Sequence, residues 1–273
     1  NCKTLANVSV TAGENGYHAG GLFGAIIYEE ANSTTNYAAV VGCINNASVT
    51  VESNGLNGGS IGGIVAWSQN FKVGNSTATS GVLYVNCVNN GTIEYKPTSC
   101  QAAGGIAGFG QNAVALVGCI NTGDITANNL ESDTGGGIAG ISFGGTAVYN
   151  CSNSGKLTGT TSTNTKMAGV YIDYTSQTGS KGLAYGCTNT GTLVNNDATI
   201  GRTAQIAFAG GSIVFKNQVY ENVAELQAVL SGNGMKSYEF VGCSVVDKSG
   251  TLDLTGIAGY ITSDNNLCNT ISI

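Results

Sequence analysis

Histidine, tryptophan and proline each occur once in these 273 residues, and charged side chains make up only 10% of them. Each shortage excludes a class of function. With His18 as the sole histidine there is no HExxH zinc helix. A serine or cysteine triad would have to use the same residue, which has no patterned acid partner, so a histidine in a surface turn is expected. One arginine, Arg202, and scattered lysines in a chain of net charge −6 leave no basic stripe to neutralise phosphates, and nucleic acid is not expected as a partner. No apolar run is long enough to span a membrane, and Asn1 does not open a signal peptide, so the chain reads as a mature segment with any export or anchoring signal out of view. The lone proline, Pro97, stands beside 42 glycines and a 42% apolar fraction, which favours tight turns joining short strands over a disordered linker.

What is abundant is periodic. A block of cysteine, asparagine, a small residue and an aliphatic at every second position recurs as Cys43, Asn45, Ala47, Val49; Cys87, Asn89, Gly91, Ile93; Cys119, Asn121, Gly123, Ile125; Cys151, Asn153, Gly155, Leu157; and Cys187, Asn189, Gly191, Leu193. A worn first copy, Cys2, Thr4, Ala6 and Val8, precedes them. Before each cysteine, alternating apolar residues such as Leu83 and Val85 predict a strand whose cysteine phase points inward. Units of this kind bury their apolar faces only by stacking, so the expected core is one continuous solenoid. The cysteines, none in CxxC, are read as an inward column of small hydrophobes, with one or two disulfides between stacked neighbours left open. Cys100 and Cys268 lie off this column, and Cys100, in an insert, is expected to be an exposed thiol. Only Asp124 supplies an acid inside any block, so an asparagine ladder is expected rather than calcium ligation.

Between the cysteines lies a second element: Gly20-Gly21-Leu22-Phe23-Gly24, Gly62-Gly63-Ile64-Val65-Ala66, Gly104-Gly105-Ile106-Ala107-Gly108, Gly136-Gly137-Ile138-Ala139-Gly140, Ala168-Gly169-Val170 and a faded Gln205-Ile206-Ala207. G-G-[LI]-x-G followed by N-C-x-N-x-G-x-[IV] resembles the GLUG motif, a repeat of bacterial surface and secreted proteins that also occurs in stalks of immunoglobulin-A-cleaving metallopeptidases. The resemblance covers roughly residues 1–210. It implies an exported bacterial protein, extracellular or on the cell surface, adhesin-like or accessory to a larger surface protein.

Spacing locates the variable part of the repeat. From cysteine to the following aliphatic the count is 19 in four copies, Cys87 to Ile106 among them, whereas from aliphatic to the next cysteine it is 13 twice but 21 after Leu22, 23 after Ile64 and 17 after Val170. All insertions therefore fall at one corner and line up along one edge of the rod, where repeat proteins often hold partners. Tyr28, Tyr37, Trp67, Phe71, Tyr171, Asp173 and Tyr174 on that edge are the candidate ligand-binding residues, because aromatics beside amides and carboxylates stack on sugars or anchor proteins. The competing reading is that these rings cover the apolar underside of their own loops.

The expected fold is all-β: a single β-solenoid, right-handed by the general crossover preference, with about three short strands per coil. Repeats fill 1–210, and 211–273 form a degenerate repeat and C-terminal cap. Val219, Val223, Leu226, Val229 and Leu230 at helical spacing place a helix near 219–230 in that cap. No catalytic residue, metal or cofactor is expected. The acids Glu29, Glu30, Glu131, Asp133 and Asp173 have no recurrent basic neighbour, and GGIAG has no following GK[ST]. The expected function is a non-catalytic binding module holding a glycan or extracellular protein, with a structural stalk and, less favoured, a carbohydrate-active enzyme as alternatives.

Overall fold

A computed structural model of the chain describes residues 1–11, 17–30, 37–52, 59–72, 81–97, 100–110, 113–142, 146–161, 166–173, 183–185, 187–196, 203–204, 207–209, 244–247 and 250–253. Among these residues every regular element is a strand. The second coil shows the plan: Tyr37–Val41 approaches the cysteine, Ile44–Asn45 forms a two-residue bridge, Val49–Glu52 and Gly59–Gly62 follow, and Val65–Lys72 closes the turn. Each strand pairs in parallel with its counterpart in the next coil, giving sheets of five, six, eleven and six strands. They are called here the approach sheet, the ladder sheet, the broad sheet and the insert sheet. The architecture is a parallel β-solenoid. A coil holds five strand segments rather than about three, because the broad-sheet part consists of two strands, Val49–Glu52 and Gly59–Gly62, and the bridge forms a strand of its own. In the fourth coil the broad-sheet segments fuse into one strand, Ile125–Gly136.

Register is kept from coil to coil. Thr4, Asn45, Asn89, Asn121, Asn153 and Asn189 are successive partners in the ladder sheet. Val49, Ile93, Ile125 and Leu157 form an apolar column beside them, each at most 1% exposed. Ile64, Ile106, Ile138 and Val170 form another, and their backbones bond directly, Ile64 to Ile106 at 3.1 Å and Ile138 to Val170 at 2.8 Å. Burying each such side chain stabilises the fold by about 1.5–3 kcal/mol, so the stacked columns supply the cohesion that no single coil has.

The approach strand is buried more widely than its alternation predicts. In the third coil Leu83 and Val85, the phase expected to point inward with Cys87, are buried, and so are Val82 and Tyr84, so the strand has no solvent face there. The residue just before each cysteine is a turn point. Gly42, Asn86, Gly118 and Asn150 have φ of 59°, 48°, 61° and 48°, a left-handed kink between the approach strand and the ladder bridge. A Cβ on Gly118 would collide with Asn86 Oδ1, and one on Gly42 with Asn1 Oδ1, so an asparagine in one coil requires a glycine in the next.

Residues 244–247 and 250–253 pair as an antiparallel hairpin, unlike any coil. The helix expected near 219–230, the boundary at 210, Cys243 and Cys268 lie outside the described residues.

Candidate functional site

The two halves of the repeat meet inside the coil. Four ladder asparagines use both amide hydrogens: Asn89 Nδ2 donates to the Gly91 carbonyl at 2.9 Å and to Asn121 Oδ1 in the next coil at 2.7 Å. The same two bonds recur at Asn45, Asn121 and Asn153. The second glycine of each G-G pair lies against this ladder. A Cβ on Gly63, Gly105 or Gly137 would strike the side-chain carbon of Asn89, Asn121 or Asn153 and a backbone oxygen of the following coil. Asparagine and glycine-glycine are therefore one packing unit, which explains why the motif carries both. The expected amide ladder is present and the expected cysteine column is buried beside it. Cys87 Sγ lies 3.2 Å from the Val40 carbonyl, and the Cys119 N–H points at Cys151 Sγ at 3.3 Å. Cys43, Cys87, Cys119, Cys151 and Cys187 are all free thiols. Hydrogen bonding to Cys119 together with burial pushes the Cys87 thiol up, and burial pushes Cys151 up, so Cys87 and Cys151 stay protonated and inert. Cys100 is also fully buried, among Tyr95, Ala103 and Ala127, and burial raises its pKa; it is not an exposed thiol. Its insert folds back as strand Cys100–Gly104 of the broad sheet, which turns the sulfur into the core.

The insert corner is where the coils differ most. In the insert sheet, strands Phe23–Glu30 and Val65–Lys72 are eight residues long and pair in register out to Glu30 and Lys72. In the third and fourth coils the described strands of the same sheet end at Gly110 and Ser142, which stand opposite Ser68 and Gly110. Part of the first two inserts is thus ordered sheet, a two-stranded extension standing out from the rod. Tyr28 and Phe71 lie on it, Tyr37 opens the next approach strand, and Asp173 ends strand Tyr171–Asp173. Tyr174 lies outside the described residues. Ile27, at the root of the extension, is 52% exposed.

Two candidate rings take part in packing instead. Tyr171 is fully buried, in register with Ala139, and is not a surface contact. As the residue after the G-G-x aliphatic, it occupies a core column filled elsewhere by Val65, Ala107 and Ala139. Trp67 is half-buried against Ala102 and Phe109 and stacks on His18, with ring centroids 4.3 Å apart. Its Nε1 is buried without a hydrogen-bond partner. His18 is not in a surface turn. It lies in strand His18–Gly20, with Nδ1 2.6 Å from Ser60 Oγ, and burial lowers its pKa to about 4, so it is neutral at physiological pH. For these two rings the structure favours the reading in which they cover an apolar underside.

Sequence patterning misses the strand extension and the alternating corner, although each leaves a trace there. Asn1, Gly42, Asn86, Gly118, Asn150 and Gly186 alternate strictly before the cysteines, and Ile26-Ile27-Tyr28 is a β-prone run inside an insert. Among the described residues, no three His, Cys, Asp or Glu side chains are grouped to hold a metal, and no helix is long and apolar enough to cross a membrane.

No family model and no curated protein matches the chain. The crystal structure of a putative immunoglobulin A1 protease from Bacteroides ovatus is similar to this chain at 17% identity and a TM-score of 0.47, over 88% of this chain and 71% of that one.

Proposed function

We propose that this chain is a non-catalytic module of an exported bacterial surface protein, adhesin-like, which holds a glycan or an extracellular protein along the edge where its coils lengthen. The observation that carries the reading is the extension of the insert sheet, ordered in register to Glu30 and Lys72 where the neighbouring coils stop short. Ordering four extra residues per strand costs roughly 4–8 kcal/mol of backbone entropy for each strand. A spacer gains nothing from that cost, whereas a presented surface requires it. Export and surface location rest on the GLUG resemblance. A second reading, a structural stalk within a larger surface protein, is favoured by Trp67 and Tyr171, which are used in packing.

The test shortens the first two coils. Residues 27–36 and 69–80 are each replaced by Gln-Asn, the two residues that stand between Gly110 and Ala113 in the sequence. Both proteins are screened against immobilised extracellular glycans and matrix proteins, and their melting temperatures are compared. A ligand retained by the parent and lost by the shortened chain, with melting within a few degrees, supports the binding module. A parent that retains nothing from the panel leaves the stalk.

A further inference from the structure

We propose that the flank of strand Val65–Lys72 facing the third coil receives an extended peptide segment of a partner protein, which adds to the insert sheet as a strand beside Gln69–Lys72. The inference rests on the binding reading and gives it a partner class and a mode of contact.

Every coil-to-coil contact in this sheet is a parallel ladder, and the ladder between the second and third coils runs only as far as Ser68 and Gly110. Beyond that point the second coil continues for Gln69, Asn70, Phe71 and Lys72, which among the described residues pair with the first coil alone. Backbone groups alternate along a strand, so about half of the N–H and C=O groups of this tetrapeptide turn toward the first coil and the rest toward a place where the sheet has stopped. Among the described residues the fourth and fifth coils stop at the same level, at Ser142 opposite Gly110 and Asp173 opposite Ser142, so the step in the sheet spans at least the third and fourth coils. Strand spacing makes two coils about 10 Å deep and the four residues about 13 Å long, enough for one or two short strands.

A strand fits this place better than a sugar does. The ladder groups of Gln69–Lys72 that no described strand pairs recur at the strand repeat and in the plane of an existing sheet, and a peptide backbone matches both, with side chains needed only for selectivity. A glycan would meet the same groups out of register. The added strand continues an interface already formed between coils, taking the position that third-coil residues hold lower in the sheet.

The probe is the synthetic octapeptide Phe-Gly-Ala-Ile-Ile-Tyr-Glu-Glu, the sequence of residues 23–30, which already pairs with this strand on its other side. A scrambled octapeptide is the control, and amide hydrogen exchange is read residue by residue. In the free chain, two alternating amides among Gln69–Lys72 are expected to exchange at least tenfold faster than the two between them. The octapeptide should slow the fast pair tenfold or more, and the scrambled peptide should not. Proline at whichever of Asn70 and Phe71 carries a fast amide should remove this response, while the amides paired to the first coil keep their protection. Protection of all four amides in the free chain overturns the proposal, as does an unchanged exchange pattern at millimolar octapeptide. If the shortened chain loses a panel ligand while the octapeptide changes nothing, strand addition is wrong and the binding reading stands. If the octapeptide protects the fast pair but the parent retains nothing from the panel, strand addition stands and the proposed glycan or matrix ligands fail.

Discussion

Asn89 donates one amide hydrogen to its own turn, at the Gly91 carbonyl, and the other to Asn121 in the next coil at 2.7 Å, so it fixes a turn and a coil spacing at once. Both groups are fully buried. Replacing Asn121 with leucine of similar size would leave the Asn89 amide, the Gly123 carbonyl and Asn153 Oδ1 each short of a partner. Two or three unmatched buried groups cost about 2–5 kcal/mol. Urea unfolding should show a loss of that size for Asn121→Leu. Asn90 belongs to an exposed ladder, bonding Asn46 and Thr122, and Asn90→Ala should stay within about 0.5 kcal/mol of the parent. Equal losses for the two variants would mean that the inner ladder is not what spaces the coils.

Glycine at the second position of G-G is a packing requirement. A Cβ on Gly105 would run into Asn121 and the Gly137 carbonyl of the next coil, and the backbone it meets has nowhere to move. Overpacking of this kind costs about 3 kcal/mol, so Gly105→Ala should unfold at clearly lower urea than the parent. The third glycine of Gly20-Gly21-Leu22-Phe23-Gly24 serves as the comparison. Gly24 is exposed, and a Cβ there meets only the His18 carbonyl, at 3.0 Å, so Gly24→Ala should cost less than about 1 kcal/mol. A tolerated Gly105→Ala would show that the asparagine column and the glycine pair are not packed as one unit.

The contrast between these two glycines shows what a sequence carries and what it hides. Columns such as Asn45, Asn89 and Asn121 are legible because stacking demands the same residue at the same place in every coil, which leaves a period. The insert corner is legible as a place, since counts from Ile64 to Cys87 and from Ile106 to Cys119 differ, but not as a structure. Residues that vary between coils leave no period to read. Trp67 and His18 show the consequence: each occurs once, and their contact depends on the spacing of two sheets, which neither local sequence contains. Tyr171 misleads for a related reason. Its ring and its nearness to an insert suggest a surface contact, whereas its position in the G-G-x column places it in the core. The helical patterning of 219–230 has no structural counterpart among the described residues against which to weigh it.

His18 predicts a pH effect with a definite sign. Burial holds the folded imidazole at about 4, below the 6.5 of an unfolded chain, so between these values the unfolded state binds the extra proton. The stabilisation is complete above pH 6.5, falls as the pH drops through that window, and is gone below about 4. Allowing for the imidazole's remaining contact with water, its size is on the order of 1–2 kcal/mol. His18→Phe keeps an aromatic ring for Trp67 and removes the titration. Melting temperatures from pH 7 to pH 4 should fall more steeply for the parent than for His18→Phe, with the carboxylates contributing equally to both. Parallel curves would place the imidazole in water in the folded chain.

The cysteine column predicts thiols that stay reduced even in an oxidising compartment. Disulfides need Cβ atoms about 3.5–4.5 Å apart, and equivalent residues of parallel stacked coils keep the strand spacing of about 4.7–4.9 Å, with their Cβ vectors side by side. Closing a bridge between Cys87 and Cys119 would have to pull two coils together against the Asn89–Asn121 bond, which fixes the same spacing a short way along the chain. Burial, which leaves Cys87, Cys119 and Cys151 with no measurable exposure, also keeps oxidants away. In protein prepared under oxidising conditions, an alkylating reagent should leave these three cysteines unmodified in buffer and modify them all in denaturant without added reductant. Mass spectrometry distinguishes the outcomes at each residue. Recovery of a Cys87–Cys119 or Cys119–Cys151 disulfide peptide from protein alkylated on unfolding would show that the coils approach more closely than a parallel ladder allows.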